Sequence, residues 1–297
     1  MKRIAPLALA LLVDAVCGEP PAQFHPVVWM GRLLEWLEAR APRHEPARLY
    51  YGIGVALTVP LAWAWLAQRV ERVAPWPLQA LALKPAFAGR ALLEAGRRVE
   101  AALEMERLEP ARHELRSLVS RPTTSLDPPL VAAAAIESLA ENLVDSWLSP
   151  LLAYALFGLG GAYAYRAVNT ADSMWGYRTP RYERLGKAAA RLDDVLNFLP
   201  ARVGALVLCC LAGRRWRAAL DTWRTDGRLT SSPNAGQTMA CAAGALGVRL
   251  EKPQHYVLNA AAPLPGVETI ARARQLVARA MWLTSGLALL TRMVTRD

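Results

Sequence analysis

The sequence contains none of the compact signatures that announce many nucleotide or acyl-transfer sites. It has no G-x-x-x-x-G-K-[ST] phosphate loop, no G-x-G-x-x-G turn and no G-x-S-x-G elbow. A nucleotide, if used, is held by some other device. The 4 cysteines, Cys17, Cys209, Cys210 and Cys241, show no C-x-x-C or Cys/His spacing, which argues against a zinc site or a disulfide scaffold. Cys209 and Cys210 adjoin inside an apolar run and read as small buried hydrophobes. There is no internal repeat and no low-complexity tract. The alternative of a transporter relaying ions through intramembrane carboxylates calls for repeated halves and long unbroken spans, and the chain has neither. Charge is also scarce, at 20% of residues against 54% hydrophobic, and the mean hydropathy is +0.15. The net charge of +10 comes almost wholly from Arg and is scattered. Without a nucleic-acid motif beside it, that charge suits the anionic cytoplasmic leaflet or anionic substrates, and no nucleic acid is expected.

What is present points to a membrane. The stretch 49–68 carries no charge and matches the roughly 20 residues needed to cross hydrocarbon. Tyr50, Tyr51, Trp63 and Trp65 stand near its ends, as in an aromatic belt. Three further runs, 143–168, 196–212 and 281–290, are apolar but broken or short. At the N-terminus, Lys2 and Arg3 precede the apolar run 4–13 and mimic a secretory signal. Val16 is bulky where cleavage needs a small residue, so a retained membrane helix is expected. Basic residues crowd several intervals that simple alternation would place on opposite sides. Re-entrant hairpins resolve this, with Pro150 and Gly160-Gly161 as turning points. The expectation is an all-α, polytopic integral membrane protein. It has four or five membrane helices, some broken or re-entrant, plus cytoplasmic helices, in one membrane-embedded domain over residues 1–297. The interval 90–118 reads as amphipathic helix split at Pro110, with no chemistry assigned.

Polar residues within apolar surroundings mark the candidate chemistry. Glu137, Glu141 and Asp145 recur at i, i+4 and i+8 among Ala, Leu, Ile and Val, so about 80° of a helix would hold all three. Alanine-rich neighbours predict burial, and a buried acidic stripe needs cations, either Arg or a divalent metal. Mg²⁺, content with one or two carboxylates plus phosphates, suits such a face. A second strip holds Arg166, Asn169, Asp172 and Ser173, extended by Tyr177, directly after an apolar run. A third mixes Arg191, Asp193, Asp194, Asn197 and Arg202. The fourth, Ser231-Ser232-Pro233-Asn234-Ala235-Gly236, reads as a helix N-terminus with Ser at the cap and Pro at the first position. Its free N–H groups would favour an anion. His25-Pro26 alone is an ordinary loop histidine.

Taken in order, these segments resemble the adenosylcobinamide-phosphate synthase family. The matching stretches are Asp14 with Gly18-Glu19-Pro20, His25-Pro26-Val27, Ile136 through Asp145, Tyr165 through Met174, Ala190 through Asp194, Asn197 through Arg202, and Ser232 through Gly236. The chain departs where the family has Gly-Asp-Pro, here with Glu19, and Arg-Asp-Thr, here Arg121-Pro122-Thr123. The second change removes a carboxylate at position 122 but leaves Arg121 and Thr123.

The resemblance implies a reaction joining adenosylcobyric acid to aminopropanol phosphate, or a related amino alcohol, with ATP as co-substrate. It implies corrinoid and amino-alcohol phosphate substrates, membrane lipid, and a homo-oligomer or a complex with other cobalamin enzymes. It places the chain in the inner membrane with its site facing the cytoplasm. A carboxylate must be activated, most simply as an acyl phosphate, before an amine attacks through an oxyanion that needs nearby positive charge. On that chemistry the metal candidates are Glu137, Glu141 and Asp145. Arg121, Arg166 or Arg191 would clamp phosphate and propionate. Asp172 or Asp194 would take the proton of the attacking ammonium. His25, Glu137 and Glu141 complete the catalytic candidates. Thr123, Asn169, Ser173, Asn197, Arg202, Ser232 and Asn234 complete the substrate-binding set.

Overall fold

A computed structural model describes residues 4–294, so Lys2 and Arg3 lie outside the described residues. In chain order the helices are α1 (Ala5–Cys17), α2 (Pro26–Glu38), α3 (Ala47–Val73), α4 (Trp76–Leu83), α5 (Gly89–Glu104), α6 (Leu108–Leu115) and α7 (Pro128–Leu143). A π-turn at Val144–Leu148 leads into α8 (Ser149–Trp175), then α9 (Lys187–Leu196), α10 (Phe198–Leu211), α11 (Trp216–Asp226) and α12 (Ala235–Leu246). A hairpin of β1 (Leu250–Lys252) and β2 (Tyr256–Leu258) precedes α13 (Val267–Val294). The all-α expectation holds, and this short hairpin is the exception.

Two helical segments are long and apolar enough to cross a membrane, Ala47–Val73 and the 48-residue run Pro128–Trp175. A third span forms if α9 and α10, bent by 45°, are taken together. These contain the apolar stretches 49–68, 143–168 and 196–212. The other two do not reach span length and hydropathy among the described residues. The run 4–13 sits in the 13-residue α1, and 281–290 closes α13, which carries Arg272, Arg274 and Arg279 in its first half. The count is therefore two or three, where four or five were expected.

The chain divides into two compact units. The first holds residues 4–88, 149–197 and 287–294. Its centre is α3 against α8, with Trp63 and Tyr163 stacked at 6.1 Å and the Tyr163 hydroxyl donating to Ala82 O at 2.7 Å. The turning point expected at Gly160-Gly161 falls instead at Gly158, whose φ of 73° and ψ of −161° interrupt α8. A Cβ there would meet the Glu71 carboxylate, so position 158 wants glycine on two counts. Glu71 also accepts the Leu159 N–H at 2.9 Å and pairs with Arg292 at 2.9 Å, capping the restarted helix. Nor does Pro150 turn the chain: the helical run Pro128–Trp175 continues through it, with the π-turn Val144–Leu148 just before it, where the proline cannot donate a regular helical bond.

The second unit holds residues 89–148 and 198–286, built on α11 against α12, α10 against α12, and α5 against α6 and α7. Its break between amphipathic helices comes at 105–107, where Glu106 has φ of 55°, and not at Pro110. Pro110 is accepted in the first turn of α6, where its missing N–H breaks no helical bond. The sulfurs of Cys209 on α10 and Cys241 on α12 approach to 3.0 Å, both buried, while Cys210 is exposed.

Candidate functional site

The second unit carries the acidic stripe. Asp127 caps α7 by accepting the Leu130 N–H at 3.0 Å, and Pro128 sits ready at the first position. The helix is buried on every side from Val131 to Ala140, and Glu137 goes with it, at 4% exposure. Arg121 meets it, donating from Nη2 to Glu137 Oε2 at 2.8 Å. Two further polar atoms of this pair, Glu137 Oε1 and Arg121 Nε, are buried without a close hydrogen bond. Tyr256, at the start of β2, presents its phenol to the same carboxylate and also feels the charge of Glu141. Burial first, and those carboxylates second, push the Tyr256 hydroxyl well above the usual tyrosine range. Tyr256 was not singled out in the sequence, since only the hairpin brings it to α7.

Glu141 is half-buried one turn beyond Glu137. Asp145 lies past the end of α7 at Leu143, in the π-turn, and is half-buried like Glu141. Among the described residues no group of three or more His, Cys, Asp or Glu side chains is arranged to hold a metal.

Other candidates in this unit are drawn into the scaffold. Thr123 donates to Arg112 O at 3.0 Å. Arg202 donates to Phe198 O at 2.6 Å and Asn234 Oδ1 at 3.1 Å, and lies 3.5 Å over the Phe198 ring. The helix expected to begin at Pro233 begins at Ala235. Ser232 Oγ accepts the Asn234 N–H at 3.2 Å, and Thr230 Oγ1 accepts the Gly236 N–H at 3.1 Å. Those bonds hold the preceding turn outside the helix and occupy N–H groups otherwise open to an anion.

The first unit gathers a second polar centre. Asp193 accepts from Asn169 Nδ2 at 3.2 Å and Asn197 Nδ2 at 2.9 Å. Asn197 Oδ1 accepts from Ser149 at 2.6 Å and Tyr165 at 3.0 Å, and Arg166 donates to Asn169 Oδ1 at 3.2 Å. The structure thus brings together Arg166, Asn169 and Asn197 as candidates, but around Asp193. Asp194 instead forms a loose 3.8 Å pair with the exposed Arg191. Ser173 is exposed and bonds back to Asn169 O at 2.8 Å, and Asp172 is half-buried toward the end of α8.

A third cluster, also in the first unit, surrounds His25. The buried Lys84 pairs with Asp14 at 2.9 Å and Glu19 at 2.5 Å, and Glu19 bonds His25 Nε2 at 3.0 Å. His25 Nδ1 accepts the Val27 N–H at 3.2 Å and caps α2. Both ring nitrogens are thus engaged, one by Glu19 and one by the Val27 N–H. Burial alone would raise the Glu19 carboxyl, but the hydrogen bonds from His25 and Lys84 outweigh it and hold Glu19 below its ordinary value. Lys84 was not visible as a partner in the sequence.

Such buried polar centres, on helices apolar enough to cross a bilayer, define an all-α membrane protein. The family described as CobD/Cbib protein matches residues 7–284, and the chain belongs to that family. Similar relatives include "Cobalamin biosynthesis protein CobD" of Dehalococcoides mccartyi, 43% identical over 84% of this chain and 85% of the relative. "Probable cobalamin biosynthesis protein CobD" of Methanothermobacter thermautotrophicus is 40% identical over 87% and 88%. "Cobalamin biosynthesis protein CbiB" of Salmonella typhi is 36% identical over 95% and 93%. No solved structure matches the chain.

Proposed function

We propose that the protein is a membrane enzyme of cobalamin biosynthesis, an acid–amine ligase joining adenosylcobyric acid to aminopropanol phosphate or a related amino-alcohol phosphate. The observation that carries this reading is the family match over residues 7–284, with relatives named as cobalamin biosynthesis proteins. In the proposed reaction the γ-phosphoryl group of ATP passes to the substrate carboxylate, leaving ADP. The amine then adds to the acyl carbon, and phosphate departs as the C–N bond forms. The enzyme works in the inner membrane with its chemistry on the cytoplasmic side, where scattered Arg meets anionic lipid and substrate.

The chain's own residues fit a phosphate-bridged Mg²⁺ better than a protein-only cage. Mg²⁺ takes one or two carboxylates and completes its shell with water and phosphate. Glu137 Oε1 is a buried acceptor without a close hydrogen bond, and Glu141 follows one turn on. Bound there with ATP, Mg²⁺ would neutralise phosphate charge. Arg121 balances Glu137 through Nη2 and keeps a buried Nε that a phosphate or acyl oxygen would satisfy. Asp172 and Asp194 stay proton-acceptor candidates, and Arg191, with its side chain 74% exposed, is the least committed of the proposed clamps.

The test is the detergent-purified protein supplied with adenosylcobyric acid, the amino-alcohol phosphate, Mg²⁺ and ATP, with products followed by mass spectrometry. The expected result is the amide together with ADP, dependent on all four. Folded protein that makes no amide under these conditions contradicts the proposal. Amide formed without ATP contradicts the acyl-phosphate route.

A further inference from the structure

We propose that α2 is an in-plane interfacial helix, whose outer face rests in the boundary between lipid headgroups and acyl chains. The helix has 13 residues, so at about 1.5 Å per residue it is too short to span hydrocarbon. Its inner face buries Met30 and Leu34 completely. On the outer face Trp29, Leu33 and Trp36 are 43%, 37% and 52% exposed. At about 100° per residue the three fall within roughly 60° of arc, a continuous apolar stripe. Phe24, one turn before the helix, adds a further ring at 62% exposure.

Three observations name lipid as the occupant. First, this stripe belongs to the same unit as α3, the span with only 28% of its apolar window buried, which exposes Leu57, Leu61 and Trp65. Second, the stripe is rich in Trp, whose ring favours the headgroup level; Trp29 Nε1 donates at 3.0 Å to Gln23 O and so leaves no unmet donor. Third, exposed Arg32, Arg40 and Arg43 accompany the stripe, and Arg40 lies 3.7 Å over the Trp36 ring. A cation held at an aromatic face beside apolar side chains matches anionic headgroups above acyl chains. Glu35, also exposed, lies about 100° from Trp36 and marks the water side.

The inference rests on the chain being a membrane protein, and not on the amide-forming reaction. It is tested on the full chain with exposed Cys17 and Cys210 replaced by Ser. A nitroxide is attached singly at Leu33→Cys, Glu35→Cys or Leu57→Cys, in nanodiscs of phosphatidylethanolamine and phosphatidylglycerol. Collision with oxygen and with a water-soluble nickel chelate then reads depth. The expected result is a label at 33 lying about 5–10 Å below the headgroups, a label at 35 open to nickel, and one at 57 deepest. A label at 33 as open to nickel as that at 35, with 57 still deep, overturns the inference. So does a label at 33 as deep as 57, which makes α2 embedded. Equally decisive is a label at 33 reached by neither reagent, which means protein covers the face. A label at 57 in water overturns the membrane reading itself, and this inference with it.

Discussion

In the first unit Asp193 gives one carboxylate oxygen to Asn169 and the other to Asn197, and the next shell of Ser149, Tyr165 and Arg166 is bonded in turn. In the second unit Glu137 commits Oε2 to Arg121 while Oε1 has no close hydrogen bond, with the Tyr256 phenol and Glu141 as its other charged or polar neighbours. Both centres bury a carboxylate with an arginine and a tyrosine near it. A carboxylate bonded at both oxygens holds its helices in one arrangement. An unsaturated buried pair is costly to keep and is the better candidate for meeting a ligand. The contrast lies in the carboxylates: both oxygens of Asp193 are hydrogen-bonded, and only one of Glu137 is.

The largest expected effect is at the unsaturated pair. Arg121→Met leaves Glu137 buried opposite no cation and should destabilise the protein by about 3 kcal/mol, read as a lowered unfolding transition in detergent. Adding Glu137→Leu to it should restore much of the loss, since removing both charges removes the uncompensated one. If the double variant is no more stable than the single, the two side chains do not act as a pair.

The saturated network sharpens the comparison through two neighbours. Asp193→Asn sets an amide donor against the Asn169 and Asn197 donors and should cost about 2 kcal/mol. Asp194→Asn weakens a 3.8 Å pair with the exposed Arg191 at a half-buried position, and should cost about 1 kcal/mol or less. Equal effects at the two positions would undo the assignment of Asp193 to the network.

A smaller effect concerns the Lys84–Glu19–His25 chain and is read through pH. Glu19 is held below its ordinary 4.5 in the folded protein, so the ionised form is the one folding favours. Its stabilisation is complete above pH 4.5 and is lost as the pH falls below that value toward the folded-state one. Glu19→Gln should therefore unfold more easily than the parent at pH 7, with the gap closing on acidification. A gap that persists unchanged in acid would show that Glu19 acts by shape alone.

Much of this was legible in the sequence, and what was not has definite causes. The alanine run around Glu137 signals burial, because a side chain that small cannot shield a helix face unless another element packs on it. Asp193 carried a signal too: Ala189, Asp193 and Asn197 recur at i, i+4 and i+8 and share the buried face of α9, while Asp194 stands about 100° away. Three features were out of reach. The π-turn leaves no simple periodicity, so the phase of Asp145 follows from the structure alone. Lys84 meets Glu19 across 65 residues, which no local pattern records. Tyr256 reaches Glu137 only because a three-residue strand pairs Lys252 with Tyr256 beside α7.

We propose that the acidic pair on α7 would hold Mg²⁺ together with substrate phosphate during amide formation. That claim is tested most directly by the Mg²⁺ dependence of amide formation in Glu141→Gln, which keeps shape and hydrogen bonding but removes one charge. The account predicts amide formation greatly reduced at low Mg²⁺, partly restored by excess Mg²⁺ through mass action, with folding and membrane insertion intact. Turnover near the parent's at low Mg²⁺ would make the stripe structural and contradict the claim.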